Sequence, residues 1–392
     1  MGKARRRKAG ARSPEGRPAL PKRKAAAPSD ALDFQNAKVG TADANAVILC
    51  EGALATPTGK TGNGLLRRSR RYKVRGVIDS RHAGKDAGEV LDGVPSGIPV
   101  FASVDDALSR DPSIQTMIFG LATDGGMLPR EMRPAMRRAI ERGLNIVSGL
   151  HEFISDDPEF AQLASRRGVD IFDIRKLPLL RPPHFYTGAI AGVRATVIAA
   201  LGTDSAIGKR TTAWKVVEAL EARGRRAHMI ATGQTGILQG AKYGFVLDST
   251  VNDYVAGEIE WAVVECDRLE KPDVIVLEGQ GALTHPAYPG GFELIAAGQP
   301  RGILVQHAPA RETLDGFPMY KMADLSREIR LLEAFSEKPV IAITLNHEDM
   351  TRAEVDKTVR EYEARFGVPC CDPLWHGADK VAAEIERRFL KD

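Results

Sequence analysis

The chain contains 392 residues, of which 43% are hydrophobic and 6% aromatic, and its formal net charge is +4. A chain of this length is longer than a single hydrophobic core usually accommodates, so we expect two domains. No stretch approaches the roughly 20 consecutive apolar residues that cross a bilayer, and the first residues lack the pattern of a secretion signal. The sequence therefore predicts a cytoplasmic protein with no membrane partner.

The basic residues are concentrated at the start of the chain. Residues 1–28 hold ten basic side chains and one acid, a local charge of +9, which leaves −5 for the remainder. Because this segment has no apolar period, we predict a disordered basic tail over residues 1–36. The mildly acidic body argues against a specific nucleic-acid surface. Weak contact of the tail with nucleic acid or anionic lipid is the alternative to a solvated extension.

The cysteines give no sign of a metal or disulfide framework. None of the four shows the paired spacing of a zinc site, so we predict reduced thiols and no metal site. They are Cys50, Cys266, Cys370 and Cys371.

Residues 37–180 alternate apolar strands with helical stretches. Strands are expected at 45–50, 72–79, 116–122 and 144–151, and a helix over 130–143 should end at Gly143. This alternation predicts a Rossmann-like, doubly wound parallel sheet, with its ligand crevice beyond the carboxyl ends of the strands. The loops at 51–63, 123–126 and 149–151 should therefore meet at one edge. Asp79 ends its strand where such folds often place an acid.

Two adjacent prolines, Pro182 and Pro183, mark the boundary to a second domain, predicted over residues 181–392. Strands are expected at 194–201, 226–232, 273–279, 302–307 and 339–347. The helix after the first of these should bury Trp214, Val217 and Leu220. We predict a parallel α/β sheet of the P-loop nucleotide-hydrolase type, similar to dethiobiotin synthetase.

A glycine-rich loop follows the first strand of this domain. Such a loop points main-chain N–H groups and a helix N-terminus at one spot, which suits a diphosphate. The predicted phosphate-binding residues are Gly202, Thr203, Asp204, Ser205, Ala206, Ile207, Gly208, Lys209, Arg210 and Thr211. Five residues separate Gly202 from Gly208, as in the loop of dethiobiotin synthetase, which "GTDSAIGK" resembles.

Arg210 occupies the place where ATP-hydrolysing loops present a hydroxyl to magnesium. An arginine cannot ligate a cation. Either Thr211 takes over after a one-residue shift, or the loop binds phosphates without magnesium.

Glu278 ends the strand that should lie beside the P-loop strand. Its carboxylate would position a metal-bound water in an ATPase, or act as a general base for an amine. Gly279 and Gly281 allow a ligand to approach the backbone closely. Lys209 adds a charge to the same catalytic group, and His285 is a catalytic or substrate contact, or a structural loop residue.

Further polar residues follow other strand ends. Gln234 and Arg311 are predicted to face the crevice, where Arg311 could grip a carboxylate, and Asn346 is where related domains read a purine. Asp248 and Asp253 could be a helix cap and a ligand, in an order that the sequence leaves open. Lys60 and Thr61 belong to a Gly-Lys-Thr run whose glycines, Gly52 and Gly59, are spaced too far apart for the usual phosphate loop, and they should line a second crevice, facing the first.

Seven motifs together resemble a known family of two-domain proteins. They occupy residues 60–67, 148–159, 173–176, 202–212, 253–260, 278–286 and 344–348. The chain resembles the DgcN-type D-glutamate N-acyltransferase family, formerly of unknown function, with a Rossmann-like and a P-loop domain. The resemblance implies acetyl transfer from acetyl-CoA to D-glutamate or a similar D-amino acid, with the P-loop holding the diphosphate of coenzyme A.

For this reaction we assign several residue roles as our own hypotheses, and two rival functions stay open. Glu278 would act as the base, the N–H groups of 279–281 as oxyanion donors, and Arg311, Gln234, Asp253 and Lys60 as substrate contacts. We also expect a homo-oligomer. The first rival is an ATP- and magnesium-dependent ligase or kinase similar to dethiobiotin synthetase, against which Arg210 counts; the second is a nucleotide-sensing regulator or metallochaperone.

Overall fold

The computed structural model describes residues 43–390, apart from the side chain of Asp124. The basic tail predicted over residues 1–36 lies outside the described residues. Within them, no helix has the length and apolar character needed to cross a membrane.

The first sheet has six parallel strands in the order β3-β2-β1-β4-β5-β6. These are β1 (Ala44–Leu49), β2 (Tyr72–Ile78), β3 (Val100–Phe101), β4 (Thr116–Phe119), β5 (Asn145–Ser148) and β6 (Ile171–Asp173). Its helices are α1 (Lys60–Arg67), α2 (Ala87–Asp92), α3 (Val104–Arg110), α4 (Arg133–Glu141) and α5 (Pro158–Arg167). This strand order is the one common to dinucleotide-binding folds, which confirms the predicted Rossmann-like sheet.

The second sheet has seven parallel strands in the order β15-β14-β11-β7-β10-β8-β9, beside a two-stranded hairpin of β12 and β13. The strands are β7 (Thr196–Gly202), β8 (Ala227–Ala231), β9 (Tyr243–Gly244), β10 (Val274–Glu278), β11 (Gly302–His307), β12 (Thr313–Leu314), β13 (Phe317–Lys321), β14 (Val340–Leu345) and β15 (Cys370–Cys371). The helices are α6 (Lys209–Ala222), α7 (Gln234–Leu238), α8 (Asn252–Glu270), α9 (Gly291–Gly298), α10 (Leu325–Ser336), α11 (Arg352–Phe366) and α12 (Asp379–Phe389). As predicted, the strand that ends in Glu278 pairs with the P-loop strand.

Each sheet has its own apolar core. The strands of both read as continuous apolar runs because parallel strands are covered on both faces. Val47, Phe119 and Ile146 belong to the first core, and Ile275 and Val305 to the second. All four cysteines are buried and free, as expected, and burial raises the pKa of each thiol.

The two domains meet through α1 on one side and α6 and α7 on the other. Gln239, just after α7, is buried between them: its Nε2 donates to the main-chain O atoms of Gly64 (2.7 Å) and Arg68 (3.3 Å), and its Oε1 accepts from Trp214 Nε1 (3.1 Å). The Arg68 guanidinium stacks over the Trp214 ring at 4.2 Å and pairs with Glu218. One amide side chain therefore satisfies two acceptors of the first domain and one donor of the second.

Candidate functional site

The P-loop bends sharply between β7 and α6. Ala206 and Gly208 have φ values of 48° and 100°, in the left-handed region that favours glycine. A Cβ atom on Gly202 would lie 2.6 Å from the main-chain O of Gln306, so only glycine fits there. The main-chain N–H groups of residues 206–211 find no acceptor within residues 43–390. Six free amides at the start of a 14-residue helix form a concave anion site.

Asp204 is the buried centre that shapes this loop. One carboxylate oxygen accepts from Ser205 N (2.7 Å), and the other accepts from Asp315 N (2.9 Å) and Arg311 Nη1 (2.8 Å). His285 Nε2 lies 3.4 Å from the first oxygen. The carboxylate is thus committed to loop geometry, which explains why an acid stands at this position of the predicted phosphate-binding set.

Lys209 opens α6 with its side chain buried in the loop. Its Nζ donates to the main-chain O of Asp204, and no carboxylate within residues 43–390 forms an ion pair with it. Burial lowers the pKa of this amine to about 8, and the carboxylates of Asp204 and Glu278 oppose the effect. An anion bound at the free amides would restore the full charge of Lys209.

Arg210 points away from the loop and toward the first domain. Its Nη2 makes one long hydrogen bond, 3.4 Å, to the main-chain O of Lys60, and its buried Nε has no partner. Gly64 leaves room for the guanidinium, since a Cβ there would lie 2.8 Å from Nη2. Burial lowers the pKa of Arg210, and the nearby carboxylate of Glu278 opposes that shift. A cation therefore lies at the domain boundary, where its charge acts on the strand-end acid Glu278.

Glu278 is buried at the end of β10. Thr232 N donates to its Oε2 at 2.9 Å, and Gly236 lies so close that a Cβ there would be 2.8 Å from the same oxygen. Burial raises the pKa of Glu278, while Arg210 and the N–H groups of Thr232 and Gly233 oppose the rise. A carboxylate with a raised pKa is a stronger base near neutral pH than an exposed one.

The carboxyl edge of the first sheet faces this site. Thr61 Oγ1 accepts from Gln234 Nε2 (3.1 Å) and contacts Thr235 Oγ1 (3.2 Å) across the domain boundary. Gly149, after β5, packs closely against the same side chain, since a Cβ there would lie 1.4 Å from Gln234 Oε1. Thr61 therefore lies at the boundary with the P-loop domain, and a second crevice lined by Lys60 and Thr61 remains a prediction.

The loops of the first domain also crowd one edge as predicted. His151 N donates to Gly126 O at 2.9 Å, and Ala122 N donates to Thr58 O at 2.7 Å. Asp79, placed where related folds bind a ribose, instead holds the loop after β1 by accepting from Gly52 N (3.1 Å) and Leu54 N (3.3 Å).

An ion pair that the sequence analysis did not predict also lies at the boundary between the two domains. Arg175, after β6, donates to Asp248 through Nε (3.1 Å) and Nη2 (2.6 Å), and His151 Nε2 lies 3.8 Å from Asp248. Asp253 is exposed in the first turn of α8, where its charge suits the helix dipole. Asp248 is thus the acid at the domain boundary.

The remaining predicted site residues are engaged inside the P-loop domain. Arg311 uses Nη1 on Asp204 and on Ser205 O (3.0 Å), and its Nη2 pairs with Glu348. His285 is fully buried, and its Nδ1 accepts from Ala287 N (3.1 Å) and Tyr288 N (3.0 Å). Burial lowers the pKa of this imidazole, so it is neutral at pH 7. The substrate role of Arg311 and the catalytic role of His285 remain predictions.

Asn346 follows β14, two strands from β7 in the sheet order. Its main-chain N donates to His307 O at 2.8 Å, and its Oδ1 accepts from Glu348 N at 3.0 Å. A purine-reading role for Asn346 remains a prediction. Among the described residues, no cluster of three or more His, Cys, Asp or Glu side chains is arranged to hold a metal ion.

Family models match both halves of the chain. A P-loop "domain of unknown function (DUF1611_C)" matches residues 184–382, and a Rossmann-like "domain of unknown function (DUF1611_N)" matches residues 80–177. The chain belongs to the DUF1611 family. Its relatives include a crystal structure of a DUF1611 family protein from Anabaena variabilis, with a TM-score of 0.81 and 29% identity, covering 88% of this chain and 100% of that one.

Two curated relatives of this chain carry an activity in their names. A protein from Tritonibacter scottomollicae, named D-glutamate N-acetyltransferase, is 33% identical over 68% of this chain and 80% of its own length. One from Pseudoalteromonas sp, with the same name, is 28% identical over 69% of this chain and 81% of its own. The resemblance drawn from the seven motifs is therefore confirmed at the level of family.

Proposed function

We propose that this DUF1611 protein transfers an acetyl group from acetyl-CoA to the amino group of D-glutamate or a similar D-amino acid. The observation that carries the proposal is the position of Arg210, a cation directly after the P-loop lysine, beside a buried carboxylate at the end of the neighbouring strand. The names of the relatives at 28% and 33% identity support the choice of reaction.

The P-loop would hold the diphosphate of coenzyme A. The free amides of residues 206–211 offer hydrogen bonds to phosphate oxygens, and Lys209 adds positive charge. Arg210 would supply a second charge by turning its guanidinium from the main-chain O of Lys60 toward a phosphate oxygen, and it occupies the chain position where a phosphoryl-transfer enzyme places a magnesium-binding hydroxyl. A diphosphate that is only anchored, and not cleaved, needs charge and position but no metal to activate a leaving phosphate.

The chemistry at the thioester needs a neutral amine. The amine nitrogen attacks the acetyl carbon, an N–C bond forms, the C–S bond breaks, and coenzyme A leaves as a thiolate that takes up a proton. The amino group of an amino acid is protonated at pH 7, so a base must remove one proton before attack. Glu278 is the buried base at the crevice, and its raised pKa suits that task.

The tetrahedral intermediate carries a developing oxyanion. Main-chain N–H groups near Gly279 and Gly281 would stabilise it, because preorganised donors act strongly in a water-excluded site. Gly281 has a φ of 45°, and a Cβ on Gly279 would lie 2.1 Å from Ala200 O, so both positions require glycine. The two glycines let this strand end pack directly against the main chain of Ala200 and Tyr288.

The test is release of free thiol from acetyl-CoA with a panel of D- and L-amino acids, in parallel with ADP release from ATP and magnesium. We expect thiol release with D-glutamate and formation of the N-acetyl product at equal molar amounts. Thiol release from no amino acid in the panel would contradict the proposal. ADP release dependent on an amino acid would favour the ligase or kinase alternative.

A further inference from the structure

We propose that Lys60, from the Rossmann-like domain, binds the distal carboxylate of an acidic amino-acid acceptor, so that the acceptor site is shared between the two domains. This inference rests on the proposed function and names the residue that selects the acceptor. It is based on three groups at the boundary between the two domains. Lys60 and Arg210 form no ion pair with a carboxylate of residues 43–390, and Gln234 Oε1 has no hydrogen-bond partner there.

Lys60 and Arg210 stand opposite each other across the domain boundary. The only contact between them is the 3.4 Å hydrogen bond from Arg210 Nη2 to the Lys60 main-chain O, and neither forms an ion pair with a carboxylate of residues 43–390. Other cations nearby are neutralised: Arg175 pairs with Asp248, and Arg311 pairs with Asp204. The domain boundary therefore carries positive charge that a bound anion can balance.

The charged groups around Lys60 show the same excess of positive charge. Burial lowers the pKa of its amine first, and Arg210 and Arg175 lower it further, against the opposing carboxylates of Asp315 and Asp248. The side chain is nevertheless accessible to solvent, so a small ligand can reach it. A carboxylate bound here would stabilise the charged amine.

Gln234 adds a second polar group that points to a ligand. The residue is only 7% exposed, its Nε2 donates to Thr61 Oγ1, and its buried Oε1 has no partner. This oxygen lies against Gly149 of the first domain, and the ammonium or amide donor of a ligand that enters between the two residues would satisfy it. Gln234 directly follows Gly233, whose N–H lies against Glu278.

The shape of an acidic amino acid fits this order of groups. With its amino group at Glu278 and Gln234, the α-carboxylate is two bonds from the nitrogen and lies on the side of Arg210, the cation next to Glu278. The side-chain carboxylate extends farther from the base. Lys60 lies across the domain boundary from Glu278, at the start of α1, where its main-chain O accepts from Arg210 Nη2.

The experiment compares Lys60→Met with Lys60→Arg and with the control Lys73→Met. Lys73 is an exposed lysine near the amino end of β2, at the opposite edge of the same sheet. Thiol release is measured with D-glutamate and with D-glutamine, which lacks the distal charge, and glutarate is tested as a competitive inhibitor. Thermal unfolding checks that each variant is folded.

For Lys60→Met we expect kcat/KM for D-glutamate to fall about 10- to 100-fold, mainly through KM, as for the loss of one charge-assisted hydrogen bond. The value for D-glutamine should change less than about 3-fold, glutarate should inhibit more weakly, and Lys60→Arg should recover part of the loss. Equal losses for both amino acids, or no loss with an active wild type, would overturn this inference alone. A wild type that releases no thiol would instead overturn the proposed function.

Discussion

Replacing Arg210 by threonine restores the hydroxyl that magnesium-dependent P-loops carry, and tests how this loop binds phosphate. In the structure, the Arg210 guanidinium makes few contacts within the protein that the substitution would remove. Its Nε has no partner, Nη2 makes one 3.4 Å bond, and it forms no ion pair with a carboxylate within residues 43–390. The cost of Arg210→Thr should therefore appear mainly in ligand binding.

The size of that cost follows from the contact that would be lost. A hydrogen bond to a charged group contributes about 1.5–3 kcal/mol, and 1.4 kcal/mol is tenfold in affinity. We expect the Kd for coenzyme A, measured by titration calorimetry in EDTA, to rise about 10- to 100-fold in Arg210→Thr. Magnesium should recover part of the loss in the variant and leave the wild type unchanged.

Two further variants make the result specific to Arg210. Arg210→Lys keeps a charge and should lose less affinity, and Lys215→Thr removes a cation from the same helix that pairs with Glu218 at 3.1 Å on the surface. Lys215→Thr should bind coenzyme A as the wild type does. An unchanged Kd for Arg210→Thr in EDTA, or a wild type that needs magnesium to bind, would refute the reasoning.

Three other outcomes are expected. Glu278→Gln should lower kcat by about 10²- to 10⁴-fold with coenzyme A binding retained, and the wild-type rate should rise with pH through a pKa above the ordinary carboxyl value; an unaltered rate would remove Glu278 as the base. Coenzyme A binding should weaken above about pH 8, where the buried amine of Lys209 loses its charge in the free protein; titration calorimetry from pH 7 to 9.5 that shows constant affinity would contradict this. Gln239→Leu leaves the buried N–H of Trp214 without an acceptor and removes one of the two hydrogen bonds to the main-chain O of Gly64, so urea unfolding should show a loss of about 1–3 kcal/mol, and an unchanged midpoint would contradict the role of this amide.

Long, fully apolar strands were predictable because parallel strands covered on both faces leave a clear pattern. The runs around Ile48, Ile198, Ile275 and Ile343 are examples, and each is a central strand of its sheet. The two-residue strands β3, β9 and β15 are too short to show a period, so sequence gives no signal for them. The hairpin of β12 and β13 was missed for a similar reason.

The phosphate loop and its strand-end acid were also readable, because glycines and a lysine at fixed spacing determine the backbone path. The ion-pair partners of other charged residues could not be predicted from the sequence. Arg311 meets Asp204 across 107 positions, and Arg175 meets Asp248 across 73, so local pattern could not show which acid each would neutralise. Arg175 lies in one of the seven family motifs, and that motif was the only feature of the sequence that indicated a role for Arg175 at the domain boundary. Gln239, which joins the domains, has no sequence signature.

The central claim is that residues 206–211, with Lys209 and Arg210, hold a diphosphate without a metal ion. The most direct measurement is a crystal structure of the protein with coenzyme A, grown in EDTA. The account predicts electron density for both phosphates within hydrogen-bond distance of these main-chain N–H groups, with the Arg210 guanidinium on a phosphate oxygen. Coenzyme A bound elsewhere with this loop empty, or a diphosphate seated only when magnesium is supplied, would contradict it.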